Sequence, residues 1–458
     1  MPYPTFLHTF AEHLPSLAVP HRACEWPDPQ LVVFNDEVGA ALGITRENIC
    51  DVLQAEGHAQ AYSGHQFGNF VPLLGDGRAL LVGELTAEQH LCGEAPGASL
   101  LYDVHLKGSE RTVFSRGGDG RAALGPMLRE YLVSESLHAL GVPSSRSLAV
   151  ITTGETILRD RPQPGAVLVR VAPNHLRVGT LQFAAINGAK VLRNTVRYAS
   201  HRVLPEPGND ELANARELLH QAVLSQARLI AQWMRFGFVH GVMNTDNTTL
   251  SGYSIDFGPC AFLDTFNPHA VFSSIDHEGR YAYAKQPAIA GWNLARMAET
   301  LLPFIGMEAA REEIDSFASH YRTAWLEEMA QAVGVDPHAP DTEKLLDALP
   351  EILPHHDADL TTFLRSLSDG TTSQEFPWAR QWCATRDACG AIPPHNPVYI
   401  PRNHLVEEAL LQAERGDLSH FQRLIAATTT PFIRQDNNTD LEEPGPKDSA
   451  PYITYCGT

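Results

Sequence analysis

Hydrophobic and polar positions in the first part of the chain alternate with the two-residue period of β-strands. Tyr102, Val104 and Leu106 fall on one side, and Asp103, His105 and Lys107 on the other. Val167 to Val171 repeats the pattern with Arg170 opposite the valines, and the apolar run Ala79 to Leu85 has strand length. After Leu204 the period changes. Pro205-Glu206-Pro207-Gly208 breaks the chain, and Leu212, Ala215, Leu219, Ala222, Leu229 and Trp233 then form one stripe of a long helix. That helix is predicted from about Asp210 to Phe236, with Gly237 ending it. An earlier helix is predicted from Met127 to Leu140, with Pro126 in its first position and Gly141 as its cap. Further helical stretches fall near 289–303, 308–334, 358–367 and 404–414. The class is therefore α+β, β-rich first and mainly helical later. Gln435 to Ser449 is rich in Asp, Asn, Glu and Pro, lacks the apolar content to fold alone, and reads as a tether.

Composition narrows the function classes. Among 458 residues, 34 Lys and Arg stand against 54 Asp and Glu, a net charge of −20 that argues against nucleic acid or anionic membrane as partner. No apolar run approaches the roughly 18 residues that span a bilayer. The first Arg is Arg22 and the start has no basic n-region, so no signal peptide or presequence is visible, and a cytoplasmic, bacterial protein is expected. The 7 cysteines are scattered, which suits neither a disulfide framework nor a zinc site.

Candidate chemistry concentrates in His240 to Gly258. His240 and Asn247 match the first and last positions of the protein-kinase pattern H-R-D-L-x-x-x-N, and Asp256-Phe257-Gly258 follows across a short segment that reads as a strand pair. Asn247 and Asp256 are thus candidate ligands for the divalent ion of a nucleoside triphosphate. Val242 stands where a kinase keeps its catalytic Asp, and a carboxylate reappears at Asp246. Asp256 is expected in a solvated cleft whose loss costs the core little.

Upstream lie the parts of a nucleotide cradle in kinase order. Gly75-Asp76-Gly77-Arg78 reads either as a phosphate-approaching turn or as an ordinary β-turn. Lys107 ends a strand whose polar face lines a cleft or meets solvent at a sheet edge. Ser115 to Arg121 is a second glycine-rich loop, and Glu130 either reaches Lys107 or is a solvated first-turn carboxylate. Arg170 and Arg177 suit phosphate, since guanidinium matches it bidentately, though either alone reads equally as a surface charge.

Four longer motifs go further: Tyr62-Ser63-Gly64-His65-Gln66-Phe67-Gly68, Arg116 to Arg121, His240 to Asn247, and Asn396-Pro397-Val398-Tyr399-Ile400-Pro401-Arg402-Asn403-His404. From about residue 55 onward the sequence closely resembles the selenoprotein O family, whose bacterial members are called YdiU. The resemblance implies a protein-kinase-like, two-lobed fold that binds ATP in reversed orientation and transfers AMP to protein hydroxyls. It implies nucleotide contacts at Gly75, Gly77, Arg78, Lys107, Asp119, Gly120, Arg170 and Arg177, a proton acceptor at Asp246, and Mg2+ or Mn2+ ligands at Asn247 and Asp256. Eukaryotic members carry selenocysteine where this chain has Cys456, and some bacterial members pair that cysteine with one in the activation segment. Here the expected partner region, Ala270-Val271-Phe272-Ser273, contains no cysteine, and Cys260 is the nearest alternative.

The expected organisation is an N-lobe over 1–180, a helical C-lobe over 181–434 and an acidic tail over 435–458 bearing Cys456. The expected activity is AMP transfer from ATP to Ser, Thr or Tyr of protein substrates. Its rivals are UMP transfer from UTP, γ-phosphoryl transfer, and a non-catalytic nucleotide-binding redox sensor.

Overall fold

The computed structural model describes residues 4–93, 99–353, 358–368, 377–390, 392, 395–446 and 452–454. Among the described residues eleven strands are formed: β1 (Ala18–Arg22), β2 (Gln30–Phe34), β3 (Glu56–Gln60), β4 (Gly64–Gln66), β5 (Asn69–Val71), β6 (Ala79–Thr86), β7 (Leu101–Lys107), β8 (Arg146–Leu158), β9 (Pro162–Ala172), β10 (Phe238–Val239) and β11 (Ala261–Phe262). Seven make one sheet in the order β1-β3-β6-β7-β9-β8-β2, antiparallel between neighbours. The rest of the chain is mainly helical, so the mixed α+β class stands.

β7 is the centre of the sheet rather than an edge. Its apolar face, Tyr102, Val104 and Leu106, packs with Leu80, Val82, Val167, Val169 and Val171 in one fully buried cluster. Its polar face is buried too, because other elements cover it: Asp103, His105 and Lys107 are all buried. The register sets Arg170 of β9 directly opposite His105, so both project from that same covered face. The solvent-facing alternative for Lys107 is excluded.

Helix Leu124–Ala139 lies across the sheet and begins three residues before the predicted start, so Pro126 sits at its third position rather than its first. Leu124, Met127, Leu128, Tyr131 and Leu132 pack with Val150 and Leu168 of the sheet and with Leu410 and Phe421 from the C-terminal helices. Helix Glu211–Phe236 has the expected bounds. The Asp210 side chain caps it by accepting from Leu212 and Ala213, and Gly237 closes it with φ 69°. The stretches near 289–303 and 308–334 form a single run, Gln286–Val333, bent at Gly306 (φ 74°), with Pro303 just ahead of the bend. Leu360–Ser368 and Asn403–Glu414 match the two later predictions closely.

Two expectations fail. Residues between Asn247 and Asp256 form a turn, not a strand pair. Thr249 Oγ1 donates to Tyr253 O (2.8 Å) and accepts from Tyr253 N (3.0 Å), which satisfies the local backbone without a ladder. The described part of the expected tether, through Pro446, is packed. Asp436–Glu442 makes a 3₁₀ turn with Leu441 and Glu442 buried, and Glu442 takes Arg434 at 2.8 Å while Arg423 takes Asp440. Ion pairs, one to the helix Ser419–Thr428 and one to the preceding loop, do what apolar content does not. Cys456 lies outside the described residues.

The late motif is structural. β10 pairs with β11 on either side of the catalytic-type loop and the Asp256 turn. The outward-facing backbone of Phe262 is met by one side chain: Asn403 accepts from Phe262 N (3.2 Å) and donates to Phe262 O (2.8 Å). Arg402, buried beside it, binds Asp264 at 2.7 Å and Asp359 at 3.0 Å. Asn403→Ala orphans a buried donor and acceptor at once. The expected loss is about 2–6 kcal/mol, from roughly 1–3 kcal/mol for each of the two unmade bonds, read as a shift in urea midpoint at unchanged slope.

Candidate active site

Lys107, at the end of β7, reaches two carboxylates. Its Nζ donates to Glu130 of the helix Leu124–Ala139 and to Asp256 Oδ1 at 2.6 Å. Arg170 donates to the same Asp256 oxygen at 2.8 Å. Both cations share Oδ1, so Oδ2 is the oxygen left for a metal ion. Asp256 adopts φ 63°, a left-handed conformation that side-chain-bearing residues hold only under constraint, and the ion pairs supply that constraint. Burial works to protonate its carboxyl, but Lys107, Arg170 and Arg177 together hold it well below the usual carboxylate range. The expected solvated cleft is corrected: the Asp256 side chain is 22% exposed and engaged by two cations, so its removal leaves charge uncompensated.

Arg177 is buried with its guanidinium 4.4 Å over the Tyr62 ring, and its Nε finds no partner among the described residues. Arg170 Nε, both ring nitrogens of His105 and His175 Nε2 likewise lack a hydrogen bond among the described residues, although His105 Nε2 stands 3.7 Å from Asp76 Oδ2. The His105 and His175 rings stack at 3.9 Å. Burial, then neighbouring histidine and arginine charge, holds His105 far below its ordinary value, and it stays neutral. Buried polar atoms left without hydrogen bonds are costly, and the two arginine Nε–H groups among them can only donate. This concentration of them on the polar side of β7 fits an anionic, oxygen-rich ligand.

Asp246 and Asn247 lie on a short 3₁₀ turn after His240. His240 donates from Nε2 to Ile255 O at 2.8 Å, which ties that loop to the residue before Asp256. Val242 has no titratable group; its carbonyl accepts from Asn247 Nδ2 at 3.0 Å, leaving the Asn247 amide oxygen as the end for a cation. Asp246 is 7% exposed, and its Oδ1 has no partner among the described residues. Burial raises its carboxyl to about 6, against opposition from local backbone donors and Arg177. Among the described residues no three His, Cys, Asp or Glu side chains form a ready-made metal cage. An Mg2+ held by one carboxylate, an amide oxygen and substrate phosphates needs none.

The other predicted contacts divide. Gly75 (φ 72°) packs on Phe114 so closely that a Cβ would sit 2.4 Å from the ring, and Gly77 O accepts from Ser115, so this turn is locked to the second glycine-rich loop. The Arg78 carbonyl accepts from Gly108 N at 2.7 Å, placing it beside Lys107. Asp119 lies apart, in an exposed pair with Arg159 (2.8 Å). Gly120 has φ 72° and abuts the backbone at Glu110 and Arg111. Cys260 is fully buried, with its thiol bonded to Phe257 O (3.1 Å) and pushed up to about 12 by burial. Sequence reasoning missed Asp76, buried under Gln60 N (3.0 Å) with its carboxyl raised to about 6 by burial. The Asp-Gly turn signal hid it. It also missed any contact of the Tyr62–Gly68 motif with Asp246.

Lys107→Met leaves Glu130 buried and uncompensated, and a loss of about 3–5 kcal/mol is expected in urea denaturation. Adding Glu130→Leu should recover most of it. A double variant as unstable as the sum of the singles would remove the pairing from the account.

The family model described as protein adenylyltransferase SelO matches residues 12–387. A protein of Corynebacterium efficiens named protein nucleotidyltransferase YdiU is 45% identical over 98% of this chain and 95% of its own length. Relatives of the same name from a Mycobacterium species (46%, covering 98% of both chains) and from Sphingopyxis alaskensis (42%, covering 99% of both) agree. Similarity thus extends well before residue 55, into β1 and β2. The chain belongs to the SelO (YdiU) family.

Proposed function

We propose that the protein is a metal-dependent protein adenylyltransferase with a kinase-like arrangement of two lobes, the nucleotide lying between them. Residues 1–180 supply the cationic wall, 181–434 the catalytic and metal loop, and the tail closes the chain. The observation that carries this reading is the convergence of Lys107 and Arg170 on one oxygen of Asp256, beside Arg177 with its unpaired Nε. Relatives named protein nucleotidyltransferase support the reaction class.

In this reading ATP lies reversed, with Lys107, Arg170 and Arg177 on its γ end. A protein hydroxyl of Ser, Thr or Tyr gives its proton to Asp246 as its oxygen attacks the α-phosphorus. The bond from the α-phosphorus to the bridging oxygen breaks, and pyrophosphate leaves with the pair of electrons. Asn247 and Asp256 would hold Mg2+ or Mn2+, which supplies charge neutralisation on the phosphate oxygens. The chain's own contribution is positioning and electrostatic stabilisation, so no carboxylate is needed at Val242. Arg78 and the locked Gly75–Gly77 turn border this wall, whereas Asp119 and Gly120 shape the neighbouring loop.

ATP labelled at the α-phosphate should mark protein, whereas γ-labelled ATP should release label as pyrophosphate and mark none. Label arriving from the γ position favours the kinase rival, and Val242→Asp should not create it. Asp246 accepts a proton only when ionised, so the transfer rate should fall as pH drops through about 6 and level off above 7, with Asp246→Asn removing the limb along with the rate.

A further inference from the structure

The hairpin β4–β5 belongs by sequence to the sheet-forming half yet sits on the catalytic-type loop. Its backbone donates to that loop twice: His65 N to Thr245 Oγ1 (2.7 Å) and Phe67 N to Asn244 Oδ1 (3.1 Å). Gln182 secures the join, accepting from Thr245 Oγ1 (2.8 Å) and bonding His65 Nδ1 (2.9 Å). The turn residues Phe67 and Gly68 have φ 50° and 83°, the signs a two-residue type I′ turn requires. A phenylalanine there is strained, and its N–H is held both by Asn244 and by Tyr281 OH (3.2 Å). This amount of constraint serves no part of the phosphate wall.

What it constrains is Asp246. A Cβ at Gly64 would lie 2.2 Å from Asp246 Oδ1, so only the bare α-carbon of glycine fits against that oxygen, which is buried and unpartnered. Gly64 therefore seals Oδ1 from any incoming hydroxyl. The other oxygen, Oδ2, faces the half-buried Gln66, whose Nε2 stands 3.5 Å away. That separation is long for a direct hydrogen bond and suits a group shared between the two.

We propose that Gln66 is an acceptor-binding residue: its amide N–H donates to the oxygen of the incoming protein hydroxyl while Asp246 Oδ2 takes the proton. The assignment rests on the adenylyl-transfer reading above and supplies its acceptor side. The donated bond does not change the balance of the step. The hydroxyl oxygen forms the bond to phosphorus, pyrophosphate departs, and the proton goes to Asp246. Gly64 makes the geometry one-sided, so the hydroxyl meets the base only beside Gln66.

The test is steady-state pyrophosphate release from ATP by the full chain with excess casein as the Ser/Thr/Tyr-bearing acceptor, alongside the rise in melting temperature that ATP and Mg2+ produce. Gln66→Leu keeps the shape and removes the donor. It should lower kcat about 10- to 100-fold while leaving KM for ATP and the ATP-induced melting shift near wild type. Gln66→Glu, which sets a second carboxylate against Asp246, should fall at least as far. Gly64→Ala should also lose kcat with its ATP-induced shift retained. Unchanged kcat in Gln66→Leu overturns the assignment, and so does loss of the ATP-induced shift in that variant, since the role would then be structural. Wild-type protein that shows the melting shift but releases no pyrophosphate would defeat the adenylyl-transfer reading itself, and this proposal with it.

Discussion

Asp256 Oδ1 is the point on which the site depends. It is shared by Lys107 from the sheet and Arg170 from the adjacent strand, while Lys107 also holds Glu130 of the crossing helix. Each group alone would be expensive to bury, and the set is tolerable only because every charge has an opposite within contact. Arg177 lies close by, its Nε without a hydrogen-bond partner among the described residues. That unmade donor, beside Lys107 and Arg170, suits the neighbourhood to an anionic ligand. Three carboxyls within this region are driven apart by their surroundings: cations hold Asp256 low, while burial lifts Asp246 and Asp76 to about 6. Such divergence assigns different tasks to chemically identical groups.

Much of this was legible in the sequence where periodicity and local chemistry agreed. The helix from Glu211 was readable because its stripe, its Asp210 cap and its Gly237 stop all reported the same element. The pairing of Lys107 with Glu130 was legible only as an ordering of motifs, since nothing local reveals which side of a strand will be covered. β7 looked like a possible edge because alternation reports a polar face and cannot say whether helices bury it. The 248–255 turn was misread as strands because its apolar residues face the core from irregular backbone held by Thr249. Polarity misled at Asp436–Glu442, where order comes from ion pairs to other elements rather than from apolar content. Gly64 and Gln66 were visible as part of a motif. Their contact with Asp246 spans 180 residues and exists only in the folded chain.

The comparison with kinases turns on Val242. A kinase needs its base close to the γ-phosphorus, and this chain offers an aliphatic side chain there. Its carboxylate, Asp246, stands next to Asn247 and under the hairpin. If the cationic wall holds the far end of the triphosphate, that displacement is what the chemistry asks for: pyrophosphate is anchored as a leaving group, and the reactive phosphorus comes to the side where Asp246 and Gln66 meet.

The orientation of the nucleotide is the central claim, and which bond breaks reports it directly. Two ATP analogues separate the alternatives by intact-mass analysis of protein incubated with Mg2+ or Mn2+. With β,γ-imido-ATP, whose α–β linkage is unmodified, the account predicts protein heavier by one AMP unit. With α,β-methylene-ATP, whose α–β linkage resists cleavage, it predicts no added mass. Protein that gains a phosphate from the α,β-methylene analogue and nothing from the imido analogue would contradict the account.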